Sequence, residues 1–280
     1  MGLGYCAWVQ ILSYGGGTNS AAVAIGLEAH RERPDLIIFA DTGSEKPHTY
    51  EHLEIMQAWC LDVGFPPITV IKALQPQQQI DGSLHAECLR LGRMPSKAYG
   101  FAGCSVKWKL EPQQRYLRKW VAERGASMRD VVRLIGFDAD EPQRVTRATA
   151  SIAAQLAQGR EDVTQQRYPL VEWGWGRDEC VAAIASAGIP QPGKSSCFMC
   201  PSSRKPEILE LRSKYPALLD LALQMESRAL AGEGSGPASR NKGLGRNFAW
   251  GTFLSQSPAA QSSFCDTGAP EMDCGCYDGE

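Results

Sequence analysis

The chain has no apolar run approaching the roughly 20 residues needed to cross a bilayer, so a transmembrane helix is excluded and no membrane partner is expected. It has no excess of basic charge either. A formal net charge of −2 and a pI near 6.1 give no general affinity for polyanions. Residues 1–13 lack the basic start and small-residue cleavage site of a secretory leader, so a cytoplasmic location is expected. No internal repeat is present. Two well-known phosphate-binding patterns are also missing. No Gly-Lys-Ser/Thr follows the glycine-rich stretch near the N-terminus, and no G-x-G-x-x-G occurs there.

What the chain does have is an ordinary globular composition, with 43% hydrophobic and 21% charged residues over 280 positions. It also has ten cysteines, more than a protein in a reducing compartment usually carries. Clustered cysteines there read as metal ligands or redox thiols before they read as disulfides.

Trp8 to Leu12 reads as a buried strand and is followed at once by Ser13-Tyr14-Gly15-Gly16-Gly17-Thr18-Asn19-Ser20. Helix formers run from Ser20 to His30, and Leu36 to Ala40 is a second buried strand. Together they predict a βαβ unit with parallel strands. Residues 48–62 are expected to be helical and Ile68 to Ile71 to form a third strand. The Gln- and Gly-rich segment 75–103 reads as a long loop. Helix 110–124 then leads to a fourth strand, 131–135. Further helices are expected over 177–187 and 205–230, with a flexible excursion over 232–246 and a polar tail over 255–280.

A strand, a glycine-rich turn and a helix start make an anion site. Backbone N–H groups converge there and the helix N-terminus adds partial positive charge. Ser13, Gly15, Gly16, Gly17, Thr18 and Ser20 are its candidate residues. Asp41, Thr42 and Gly43 close the second strand, where ligands of open parallel sheets sit. Asp41 is read as holding a ribose or adenine edge, or as capping the next helix. Arg144 and Arg147 can grip phosphate or sulfate oxygens in pairs. Lys107 and Lys109 either add charge at the same mouth or mark a solvated helix start.

Cys197-Phe198-Met199-Cys200 is the sharpest chemical signal, since two intervening residues let both thiolates reach one metal from a single turn. A redox dithiol and a pair of inert buried thiols are the competing readings. The fourth strand is followed by Gly136-Phe137-Asp138-Ala139-Asp140-Glu141-Pro142-Gln143-Arg144, and the chain later carries Tyr168-Pro169-Leu170.

Taken together and in this order, these stretches resemble the phosphoadenosine-phosphosulfate (PAPS) reductase family of the PP-loop, adenine nucleotide alpha-hydrolase-like superfamily. The likeness runs over roughly residues 9–206. It implies an α/β, Rossmann-like PP-loop fold, a mostly parallel sheet flanked by helices, with a cysteine-bearing C-terminal extension. Residues 1–206 would form the nucleotide-binding domain and 207–280 a helical extension with a flexible tail.

The resemblance further implies an adenine nucleotide substrate (PAPS, APS or ATP) and an iron–sulfur cluster, 4Fe–4S or alternatively zinc. Cys104, Cys197 and Cys200 would be ligands, with the fourth from Cys88, Cys274 or Cys276. Ser105 stands where the family has a second cysteine. Cys274-Gly275 resembles the family's terminal nucleophile element, which makes Cys274 the candidate catalytic thiol, Arg144 its catalytic companion and a thioredoxin-type protein the reductant. The alternative is an ATP-dependent sulfurtransferase acting on DNA or RNA. Arg204, Lys205, Arg212, Lys214, Arg240, Lys242 and Arg246 would then offer a local basic patch. A non-catalytic nucleotide sensor is the third reading.

Overall fold

A computed structural model describes residues 8–73, 82–232 and 242–257. Five strands, β1 (Val9–Ser13), β2 (Leu36–Asp41), β3 (Ile68–Lys72), β4 (Val131–Leu134) and β5 (Gln165–Arg167), form one sheet in the order β3-β2-β1-β4-β5. Every pairing is parallel. β1 lies in the middle, and the chain winds outward from it on both sides. The loop after β1 therefore sits at the topological switch point, where open sheets bind ligands.

Period-2 alternation sends side chains to two separate cores. Leu12, Ile37, Phe39 and Leu134 face α1 (Thr18–Ala29), α2 (Pro47–Asp62) and, further along the chain, α7 (Pro169–Glu172) and α8 (Arg177–Ser186). Ile11, Leu36, Ile38 and Val131 face the helix Glu111–Ala122. The α/β architecture with helices on both sides of a parallel sheet is the expected one.

Three expectations change. The segment 75–103 is not all loop. It contains α3 (Leu84–Arg90), started by Ser83, whose hydroxyl accepts the Ala86 N–H, and a 3₁₀ turn over Ser96–Tyr99. After a single turn, α4 (Gly103–Ser105), a π-helical turn over Val106–Leu110 enters α5 (Glu111–Ala122). The family-like stretch after β4 runs into a helix, α6 (Pro142–Ala157), additional to the expected helices. Residues 205–230 form two helices, α9 (Lys205–Lys214) and α10 (Pro216–Leu230), because Pro216 disfavours helical geometry at Tyr215. A final helix, α11 (Trp250–Gln256), follows.

A second apolar cluster gathers Leu84, Cys88, Met94 and Trp108 with Phe198, Met199, Leu219, Met225 and Trp250. Residues on both sides of position 206 share it.

Candidate functional site

The loop is built by a strand that must turn sharply into a helix. Tyr14 N–H still donates to Ile38 O at 2.9 Å, extending the pairing of β1 with β2. The chain then turns at Gly16, whose φ of +78° favours glycine. A Cβ there would lie 2.9 Å from Thr49 Cγ2 and 3.3 Å from Phe39 Cε2. Gly17 is the N-cap of α1 and makes no side-chain cap hydrogen bond. The N–H groups of the first turn are thus open to an anion. Ser20 Oγ folds back, donating to Gly17 O at 3.0 Å. Ser13, Gly15, Gly16, Gly17, Thr18 and Ser20 share this one turn.

The cysteine segment stands over the same turn. Ser195 Oγ is 2.9 Å from where a Gly17 Cβ would lie, and Ser195 Cβ is 3.6 Å from that of Gly16. Ser196 Oγ, Thr49 Oγ1, Asn19 Oδ1 and Glu45 Oε2 are buried without a hydrogen-bond partner among the described residues. A buried orphan polar atom costs about 1–3 kcal/mol. Four of them lie on the loop and the segments that meet it, where a bound polar ligand would supply their partners.

The end of β2 forms the other wall. Asp41 Oδ1 accepts the Gly43 N–H at 2.7 Å and the Tyr50 hydroxyl at 2.8 Å, and Lys72 lies 3.6 Å from Oδ2. Its carboxylate shapes the Asp41-Thr42-Gly43 turn, in which Gly43 has φ +67°. Beyond the turn, Glu45 and Lys109 form a buried ion pair at 3.1 Å. Lys109 therefore leaves the solvated-helix reading behind, while Lys107 pairs with Glu87. Thr42 Oγ1 lies 3.1 Å from Glu45 Oε1 and 3.3 Å from Cys197 Sγ. Burial first, then the Glu45 carboxylate, holds the Cys197 thiol well above its usual value. Glu45 escaped sequence reasoning because it matches no motif.

Cys197 and Cys200 share one turn, closed by Cys200 N–H to Cys197 O at 3.0 Å. Cys88 and Cys104 are near enough to feel each other's charge, and burial pushes the Cys88 thiol up to about 12. Cys88 belongs to the second apolar cluster, and Cys104 and Cys197 pack against it. The donors are the soft type that thiolate-bound metal centres use. Among the described residues, no three His, Cys, Asp or Glu side chains converge on one point. Cys104 is thus not gathered with Cys197 and Cys200 into a ligand set. Cys274 and Cys276 lie outside the described residues.

Arg144 is buried, 2.9 Å from Glu141 Oε2, with its guanidinium 4.2 Å from the Phe137 ring centre. Phe137 stacks on Tyr168, so both family-like stretches meet here. Asn19 Nδ2 donates to Asp138 at 3.0 Å and approaches Glu141 at 3.4 Å, linking this group to the loop. Arg147 is exposed one turn further along α6, its Nε 3.4 Å from Gln143 O. In the expected basic patch, Arg204 pairs with Glu207, Lys214 with Glu210, and Lys205 lies over Phe248 and Phe253. Arg240 lies outside the described residues.

Two histidines of α2 pin the approach to the cysteine segment. His52 Nε2 reaches Pro190 O at 3.1 Å and Nδ1 reaches the Tyr14 hydroxyl at 3.1 Å. His48 repeats this with Lys194 O at 3.2 Å and the Tyr215 hydroxyl at 3.1 Å. A carbonyl only accepts, so Nε2 carries the hydrogen and Nδ1 accepts from the tyrosine. Burial lowers both pKa values below the usual histidine value. Above about pH 6.5 neither the folded nor the unfolded chain binds these protons. Below it the unfolded chain takes protons that the folded state refuses, so stability falls with pH until the folded values are reached. Thermal unfolding from pH 7.5 to 5 should show this decline, and His52→Gln should flatten it; an unchanged slope would refute the assignment.

No family model and no curated protein matches the chain. Two of the solved structures similar to it follow. One is a phosphoadenylyl-sulfate (PAPS) reductase from Candida auris in a phosphate complex. It is 16% identical with a TM-score of 0.41, over 66% of this chain and 75% of that one. The other is a U34-tRNA thiolase from Methanococcus maripaludis with its [4Fe-4S] cluster. It is 13% identical with a TM-score of 0.41, over 97% of this chain and 80% of that one. Neither likeness carries a residue's role across. No helix among the described residues is long and apolar enough to cross a membrane.

Proposed function

We propose that the chain is a PP-loop enzyme of the PAPS reductase type, cytoplasmic, that binds an adenine nucleotide at Ser13–Ser20 and carries out sulfur chemistry with cysteine thiols. One observation carries the reading: Ser195 stands on Gly16 and Gly17, and the C-x-x-C begins two residues later. That proximity supports reading the turn and the thiols as one site.

In this reading the first-turn N–H groups and the Thr18 hydroxyl hold phosphate oxygens, and the orphan Ser196 and Thr49 hydroxyls gain partners. Arg144 and Arg147 would meet the sulfate or distal phosphate. The Cys274 thiolate attacks the substrate sulfur, the bond from sulfur to the phosphate oxygen breaks, and the nucleotide leaves with the electron pair. A thioredoxin-type dithiol then attacks the cysteine sulfur, releases sulfite and is oxidised to a disulfide. Cys197 and Cys200, which share one turn, would supply two thiolates to an iron–sulfur cluster, with zinc as the alternative. Cys104 is not gathered with them, and the other ligands would come from outside the described residues. When bound, the cluster supplies electrostatic support beside the nucleotide.

A second reading keeps the loop and changes the bond. With ATP, the same site would adenylate an RNA or DNA acceptor, displacing pyrophosphate before sulfur transfer. The observation favouring it is the cysteine segment beside the loop, which needs no contribution from Cys274.

The test is binding of ATP, APS and PAPS to the anaerobically purified chain. Preference for PAPS or APS, with sulfite release lost in Cys274→Ser, supports the reductase. Preference for ATP, with acceptor-dependent pyrophosphate release, decides for the transferase. Binding of none of the three refutes both. The cluster is tested separately: the protein should be brown with iron and labile sulfide, and Cys197→Ser should lose most of both. A colourless protein with one zinc would remove the cluster.

A further inference from the structure

Arg133 is a charged residue in the middle of an apolar strand, Val131-Val132-Arg133-Leu134. Alternation along β4 puts it on the α5 face with Val131, where its register partner in β1 is Ile11. It is only 6% exposed. Leucine or valine would pack there, and a buried guanidinium is costly unless it serves electrostatically. Arg133 also lines a cavity of about 670 Å³ between α5 and α6, together with Arg115, Gln114 and Ser151.

The contacts of Arg133 point to the phosphate loop. Its Nε and Nη2 both donate to Ser13 Oγ, at 3.2 and 2.8 Å. Nη2 also donates to Gln113 Oε1, which steadies the guanidinium from α5. A serine hydroxyl has two acceptor lone pairs and one hydrogen. Arg133 occupies both lone pairs, so Ser13 is left able only to donate. No acceptor for that hydrogen is found among the described residues, although Ser13 is buried. Ser13 is the last residue of β1 and the first of the loop.

We propose that Arg133 is a positioning residue of the phosphate site. It commits the Ser13 hydroxyl to donate to an anionic oxygen bound in the loop, and sets a full positive charge behind that hydroxyl. Arg133 acts through Ser13 and need not touch the ligand. A lysine would keep the charge and lose the two-point grip that fixes the hydroxyl.

This rests on the proposed nucleotide site, and the experiment separates the two. Dissociation constants for ATP and for adenosine are measured on the full chain, on Arg133→Lys, on Ser13→Ala and on the double variant. Either single change should weaken ATP about tenfold, and the double no more than the worse single, because one hydrogen bond is lost in all three. Adenosine, which has no phosphate, should bind unchanged. Additive losses, an unaffected ATP affinity, or equal losses for ATP and adenosine would overturn the proposal. Should Arg133→Lys fail to fold, Gln113→Glu answers the same question. Its carboxylate neutralises Arg133 in place, and ATP but not adenosine should weaken. Wild-type chain that binds neither ATP, APS nor PAPS would overturn the site and the proposal with it.

Discussion

Alanine at position 16 should cost about 2–5 kcal/mol of stability and weaken ATP binding at least tenfold. Two penalties add. Gly16 sits at φ +78°, where an L side chain costs about 1–2 kcal/mol. Its new Cβ would also meet Thr49 Cγ2 at 2.9 Å and Phe39 Cε2 at 3.3 Å. Neither neighbour yields easily, since Phe39 and Thr49 are almost fully buried. Overpacking of this kind costs about 1–3 kcal/mol. Gly17→Ala is the control. Its φ is −114°, and its Cβ would meet only Ser195, chiefly the rotatable Oγ at 2.9 Å. Stability should therefore change by less than about 1 kcal/mol while the mouth of the loop narrows. Urea unfolding with calorimetric titration distinguishes the pair. A Gly16→Ala protein as stable as wild type would contradict the geometry of the turn.

Glu226→Ala should be comparably severe, about 3–5 kcal/mol, at a place remote in sequence from the loop. The Glu226 carboxylate is buried on α10 and accepts three backbone N–H groups. They are those of Leu244 at 2.7 Å, Trp250 at 2.9 Å and Gly251 at 2.9 Å. It thereby starts α11 and holds Trp250 inside the second apolar cluster. Removing it leaves three donors without their acceptor, two of them on the buried residues Leu244 and Trp250. Hydrogen exchange should speed at residues 242–256 while α1 and β1 stay protected. Glu226→Gln keeps one acceptor oxygen and should fall between the two. A loss below about 1 kcal/mol for the alanine variant would show that the segment is anchored elsewhere.

Much of this architecture was legible in the sequence because its signals are local. A mostly apolar pentad, three glycines and a run of helix formers leave few alternatives to β1, the loop and α1. The Tyr215-Pro216 break was equally local, and the helical run around it hid the signal. α3 was different. Gln- and Gly-rich neighbours made residues 84–90 look irregular, and their helix is stabilised by burying Leu84 and Cys88 in a cluster completed more than 100 residues later. The candidate loop residues emerged from their pattern. Glu45 and Arg133 did not, because a buried charge has no motif. The signal was nonetheless present at Arg133, a lone charge inside an apolar strand. The cysteines divided in a similar way: their spacing showed that Cys197 and Cys200 share a turn, and nothing in it placed Cys104.

The shared core across position 206 has a consequence for the order of folding. β1, the loop, α1 and β2 are contiguous, so their contacts close short loops and can form early. The cluster that buries Cys88 and borders Cys104 and Cys197 needs Trp250, and so waits for nearly the whole chain to leave the ribosome. During synthesis the glycine-rich turn would be finished while Cys88 is still uncovered. That interval ends when α11 docks.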